Sequence, residues 1–147
     1  MSIKFVICLN KQGALRLIRL FEPFSGDANS SQSTIAQIYK LISSRDHRHQ
    51  SNFVEFSDST KLVYKRYAGL YFVMGVGLQD EELIYLSHIH LLVEVLDAFF
   101  GNVCELDIVF NFHKAYMILD ELIIGGEIQE TCKDVILERV NYLDRLS

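Results

Sequence analysis

His88 and His90 stand one residue apart, as do His47 and His49, and paired histidines are the first place to seek a metal or a proton relay. On a helix, residues two apart point nearly opposite ways, so His88 and His90 do not converge on one ion. The run Asp46-His47-Arg48-His49 falls in a charged loop with no second cluster to complete a coordination shell. It reads as a surface loop that touches a partner or lipid. Cys8, Cys104 and Cys132 are odd in number, far apart and without a Cys-x-x-Cys pair, the pattern of reduced thiols in cytosol. Cys104 lies in an apolar stretch and is expected to be a buried structural cysteine rather than a nucleophile. Gly75-Val76-Gly77 has Asp80 where a dinucleotide fingerprint needs its third glycine, and no phosphate-loop pattern is present. Glu81-Glu82 and Asp120-Glu121 read as solvated helix positions, the first pair also suiting a helix N-terminus. Arg16, taken alone, reads as a solvated residue at a sheet edge. These residues build no catalytic constellation, so the chain is expected to be no enzyme, with no metal and no cofactor.

The composition narrows the class further. Half of the 147 residues are hydrophobic and 22% are charged, which suits one folded domain spanning 1–147 and excludes disorder. A net charge of −5 argues against nucleic acid as a partner, since phosphate contact needs a basic stripe. The start, Met1-Ser2-Ile3-Lys4-Phe5, has no signal-peptide pattern. Leu83 to Phe100 is the densest apolar stretch, but His88, His90, Glu94 and Asp97 make it a poor membrane span. Asn29-Ser30-Ser31 has the form of a glycosylation site, unused if the chain stays in the cytoplasm, as expected.

The elements that must position these residues follow from periodicity. Ile3, Phe5, Ile7 and Leu9 alternate as in a strand, Lys11-Gln12-Gly13 suits a hairpin, and Leu15 to Phe21 is the returning strand. Pro23 and the segment Ser25 to Ser31 form a loop. Ser30 or Ser31 is placed to cap a helix carrying Ile35, Ile38, Tyr39 and Ile42. After the charged loop Arg45 to Gln50 come three strands, Asn52 to Phe56, Lys61 to Tyr67 and Leu70 to Val76, the last apolar on both faces as in a central strand. Asp80 is expected to cap a helix from Glu81 to Phe100, and a second long helix to run from Glu105 to Ile124, stopping at Gly125-Gly126. Thr131 and Asp134 suggest a capping box for a last helix ending near Leu146. The order β-β-α-β-β-β-α-α-α with short sheet connections makes this an α+β fold with an antiparallel sheet.

Both long helices show more than one apolar row. Leu86, Ile89, Val93, Leu96 and Phe100 form one, and Tyr85, Leu92, Val95 and Phe99 a second. The next helix has Ile108, Phe112, Ala115, Leu119 and Leu122, then Leu106, Val109, His113, Tyr116 and Ile123. A lone domain needs one stripe per helix. Four uncovered large side chains would forgo roughly 6–12 kcal/mol of burial, the scale of a whole domain's stability. A partner chain is therefore expected to cover the remainder, the alternative being that both helices are buried in this chain's own core.

Longer blocks are more specific than any of these motifs. Asn52-Phe53-Val54-Glu55-Phe56, the run Tyr64 to Phe72, the run Phe100 to Phe112 and Gly125 to Thr131 resemble, in order and spacing, the small (sigma) chains of clathrin-associated adaptor complexes. The start joins in with Lys4-Phe5, Gln12-Gly13 and Leu15-Arg16-Leu17. Asn52 to Phe56 and Ala68-Gly69 look most like the sigma chain of the plasma-membrane endocytic complex. The Golgi and endosomal sigma chain is the alternative.

That resemblance implies a longin-like fold with a five-stranded antiparallel sheet flanked by helices. It implies a heterotetramer with an alpha-type large chain, whose trunk sigma would brace, a beta-type large chain and a medium chain. Clathrin and the cytoplasmic face of the plasma membrane would be reached only through that complex, at coated pits. It also implies a share in binding acidic dileucine sorting signals in cargo tails. Carried over position by position, the residues lining two leucine pockets are Ala68, Leu70, Val93, Asn102, Val103 and Ile108. Arg16 is the basic contact to the acidic residue of the signal. Ala14 stands where relatives commonly have Lys, which weakens the basic patch unless Arg19 or Lys65 compensates. A purely architectural subunit without cargo contact is the other reading.

Overall fold

The computed structural model describes residues 3–24, 28–45, 52–124, 126–128 and 131–146. The loop expected at residues 46–50, much of the one at 25–31 and the helix stop at Gly125 fall outside the described residues. Five strands, β1 (Phe5–Asn10), β2 (Leu15–Leu20), β3 (Phe53–Glu55), β4 (Thr60–Tyr67) and β5 (Leu70–Gly77), form one antiparallel sheet in the order β2-β1-β5-β4-β3. The helices are α1 (Ala28–Ser43), α2 (Glu82–Phe100), α3 (Glu105–Phe110), α4 (Phe112–Leu122) and α5 (Lys133–Leu146). A two-stranded ribbon of β6 (Ile123–Ile124) and β7 (Glu127–Ile128) precedes α5.

Strand alternation sorts the core into two layers. Phe5, Ile7, Leu9, Leu62, Tyr64, Tyr71 and Val73 pack with Ile38 and Ile42 of α1 on one face. Val6, Cys8, Val63, Leu70, Phe72, Met74 and Val76 face α2, α4 and α5 on the other. β5 lies between β1 and β4 and is buried almost end to end, as its apolar run requires. Gly75 is obligatory there, because a Cβ would come within 2.1 Å of the Phe5 ring.

The helix ends depart from expectation in several places. α1 begins at Ala28, so Ser30 and Ser31 lie within it rather than capping it. Asp80 does not cap α2: Glu81 holds the cap position without a side-chain bond. The Asp80 carboxylate instead accepts the Gly77 N–H at 3.0 Å, closing the turn out of β5. α5 starts at Lys133, two residues beyond Thr131. The helix expected from Glu105 to Ile124 is two helices, broken at Asn111 (φ −124°, ψ 41°), and Ile123 and Ile124 belong to the ribbon. Asparagine readily leaves helical geometry. The break changes the helical phase, so Ala115, Ile118, Leu119 and Leu122 are buried while Phe112 is 57% exposed.

The surplus apolar surface also lies elsewhere than expected. On α2, Tyr85, Ile89, Leu92, Val93, Val95 and Leu96 are all buried, and Leu86, Phe99 and Phe100 pack against the same core. Both rows are covered within this chain because the sheet, α4 and α5 surround the helix. α2 is long and apolar enough to cross a membrane by length and composition, but here it is the central core helix. One group of exposed apolar side chains lies at the α3–α4 break, where Leu106 is 62% and Phe110 75% exposed, with Val109 and Phe112 beside them in sequence; others are scattered, among them Leu83 and Ile84 at the start of α2.

Candidate functional site

The β4–β5 turn is made by Ala68 (φ 51°) and Gly69 (φ 77°), both left-handed, the conformation a two-residue hairpin needs. This presents Ala68 to solvent and directs Leu70 into the core. Beside the turn, the Tyr67 hydroxyl donates to Asp97 Oδ1 at 3.0 Å. The same oxygen accepts the Val103 N–H at 3.0 Å, and the Asp97 carbonyl accepts the N–H groups of Gly101 and Asn102. Asp97 thus ties the hairpin to the connection between α2 and α3. That connection turns through Gly101 (φ 66°) and Asn102 (φ 68°), and asparagine tolerates the left-handed region better than most residues.

These bonds bring the β4–β5 turn, with Ala68, next to the connection that carries Asn102 and Val103. Of the six positions nominated for leucine binding, Leu70, Val93, Val103 and Ile108 belong to the main core cluster and are at most 3% exposed, whereas Ala68 and Asn102 are exposed.

Arg16 lies on β2. Its Nε donates to Glu105 Oε2 at 2.7 Å, and Asn10 Nδ2 donates to that oxygen at 2.9 Å. Asn10 is itself fixed, its Oδ1 accepting the N–H groups of Gln12 at 2.9 Å and Ala14 at 2.8 Å. The Asn10 amide first, and then Arg16, hold the Glu105 carboxyl below its usual range. Glu105 also lies in the first turn of α3. Below the pair, burial pushes the Cys8 thiol up, Glu105 adding to the effect and Arg16 opposing it, so Cys8 is an inert core group.

The remaining candidates are accounted for differently. Arg19 grips Asp120 through two bonds of 2.8 Å and stacks 4.2 Å from the Tyr116 ring centroid; it is committed. Tyr116 in turn accepts the Ile18 N–H at 2.9 Å, locking α4 to β2. Lys65 lies 3.1 Å from His90 Nδ1, and His90 pairs with Glu94 one helical turn on. His88 points elsewhere, edge-on to Tyr85, its Nδ1 buried without a hydrogen-bond partner. Among the described residues no group of three or more His, Cys, Asp or Glu is placed to hold a metal.

Two readings from the sequence are corrected here. Cys104 is exposed, because it caps α3, its N–H donating to Asp107 Oδ2 at 2.9 Å. Glu82 is not simply solvated: Lys61, 5% exposed, reaches out of the sheet to its carboxylate at 2.8 Å and holds that carboxyl below its usual range. Asp120 is exposed, as a solvated helix position should be, and pairs with Arg19. The residues missed by sequence reasoning are Asp97, Asn10 and Glu105. Asp97 had a weak signal, an acid in the apolar last stretch Val95 to Phe100 of its helix. Glu105 had none, since it meets Arg16 across 89 positions of sequence.

Comparison with known proteins agrees with this architecture. Residues 2–147 match the family of clathrin adaptor complex small chains. The chain is 72% identical over 146 residues to the AP-2 complex subunit sigma of Saccharomyces cerevisiae, covering 99% of both chains. It is 51% identical to the AP-2 complex subunit sigma of Aspergillus fumigatus, again over 99% of both. The AP-1 complex subunit sigma-2 of Dictyostelium discoideum is 44% identical over 99% of this chain and 92% of that one. In a homology model of the full-length AP-3 complex in a stretched open conformation, one chain superposes with a TM-score of 0.75 at 32% identity. The match covers 98% of this chain and 94% of that one.

Proposed function

Because the chain belongs to the clathrin adaptor complex small chain family, we propose that it is the sigma subunit of an AP-2 complex, acting in endocytosis at the cytoplasmic face of the plasma membrane. The observation behind this choice is the 72% identity to an AP-2 sigma subunit along the whole length; between the two Dictyostelium discoideum sigma chains the AP-2 one is also the more similar, at 47% against 44%. In this reading residues 1–147 form one longin-like domain that braces the trunk of an alpha-type large chain. A beta-type large chain and a medium chain complete the heterotetramer, and clathrin is reached through them. The exposed apolar side chains at the α3–α4 break suit burial against such a partner.

The same subunit helps to bind dileucine signals in cargo tails. What supports this is the family resemblance that nominates Ala68, Leu70, Val93, Asn102, Val103 and Ile108 with Arg16, together with the tie that Asp97 makes between the Ala68 turn and the Asn102–Val103 connection. Two leucines docking on aliphatic side chains contribute roughly 1.5–3 kcal/mol each before association costs, an affinity modest enough for cargo to be released. The architectural alternative draws on the closed packing of four of those residues and on the pairing of Arg16 with Glu105.

Ala68 is the position that separates the two. It is exposed and left-handed, a conformation aspartate tolerates, so Ala68→Asp adds a charge at the turn without entering the core. Assembled with its large chains, that variant is expected to lose binding of an acidic dileucine peptide while the complex forms normally. Undiminished binding would reject the cargo site.

A further inference from the structure

We propose that Glu105 is a resident carboxylate that occupies Arg16 in place of the acid of a sorting signal, and so sets how much an acidic residue in the signal contributes to binding. This inference rests on the cargo reading above and adds a residue that decides specificity within it.

The geometry makes the pair a built feature. Glu105 Oε2 takes both the Arg16 Nε–H and the Asn10 amide, at 2.7 and 2.9 Å, and Asn10 is locked by two backbone N–H groups of the β1–β2 turn. The carboxylate is thereby oriented from two sides and kept ionised. Arg16 and Glu105 remain about a third exposed, at 31% and 33%, so an incoming acid can reach the guanidinium. It finds there a cation whose charge is already matched. An arginine offers five N–H donors, and the pairing with Glu105 is made through Nε. A signal carboxylate can therefore bind at the terminal nitrogens, but only beside the negative charge of Glu105. Ala14 beside it adds no charge, and Arg19 is held by Asp120. This end of the sheet thus presents a neutralised arginine to an incoming signal. It selects for paired leucines and demands little of the residue upstream.

Glu105→Gln tests this cleanly, because a glutamine oxygen still accepts from Asn10 and Arg16 while the charge is removed. The experiment uses the assembled complex and fluorescence polarisation with three peptides. One has Glu four residues before the leucines, one has Gln there, and one has both leucines replaced by Ala. For the unaltered complex the Glu and Gln peptides are expected to bind within about two-fold of each other. In Glu105→Gln the preference for the Glu peptide is expected to rise by about two- to five-fold, the range of an exposed ion pair, with the loss on leucine replacement unchanged. Ala14→Lys is expected to move the preference the same way. Leucine-dependent binding whose Glu-to-Gln ratio ignores residue 105 would overturn this inference alone. Binding of none of the peptides in a leucine-dependent manner would overturn the cargo reading and this inference with it.

Discussion

The hydroxyl of Tyr67 and the carboxylate of Asp97 meet at 3.0 Å, joining the last residue of β4 to the last turn of the central helix. The same carboxylate oxygen holds the Val103 N–H, so one acid positions both the hairpin with Ala68 and the connection with Asn102.

Asp97→Ala removes both bonds and leaves the Val103 N–H without its acceptor. It is expected to cost about 1–3 kcal/mol, and Tyr67→Phe only about 0.5–1.5 kcal/mol. Denaturant unfolding of the two variants measures this, and equal losses would show that Asp97 does not serve the Val103 amide.

Gly75→Ala drives a methyl group into the Phe5 ring, which is itself packed edge-on to Phe24 at 5.2 Å. Overpacking of this kind costs about 1–3 kcal/mol. Combining it with Phe5→Leu is expected to cost less than the two changes summed, because the smaller side chain vacates the clash. An additive double-mutant cycle would contradict the contact.

Burial holds His88 below its ordinary pKa. The unfolded chain therefore binds a proton there first, starting near pH 6.5, and stability falls as pH drops through that window towards the lower folded value. His88→Gln is expected to flatten this slope between about pH 7 and 5.5. The depressed carboxyls of Glu82 and Glu105 act separately. Their contribution is present above the usual glutamate value of about 4.3 and is lost as pH falls below it. An unchanged slope in His88→Gln would contradict the assignment.

Much of the fold was legible because its signals are local. The alternation of Ile3, Phe5, Ile7 and Leu9 and the two-sided apolar run of Leu70 to Val76 fix strands, and Ala68-Gly69 fixes a hairpin, without knowledge of neighbours. The break at Asn111 was not legible, since Ile108, Phe112, Ala115 and Leu119 keep helical spacing across it. Only packing of α4 against α2 and α5 reveals that Phe112 belongs outside. Both apolar rows of α2 are covered within the chain, which sequence could not say, while Leu106 and Phe110 at the α3–α4 break stay exposed. The nominated leucine-binding residues came from family blocks, whereas the Arg16–Glu105 pair joins distant segments and no periodicity announces it.

The exposed row at that break supplies a prediction about assembly. Leu106→Ser and Phe110→Ser remove little buried area, so the chain's own stability should change by no more than about 0.5 kcal/mol. Pull-down by an alpha-type large chain is expected to weaken markedly. Normal pull-down would place the docking surface elsewhere.

The most direct test is affinity purification of the tagged chain from cells, with the co-purifying chains identified and their stoichiometry measured. The account predicts an alpha-type large chain, a beta-type large chain and a medium chain of the AP-2 complex in equal amounts with the bait. Recovery of the bait alone, or with the AP-1 set of large chains, would contradict it.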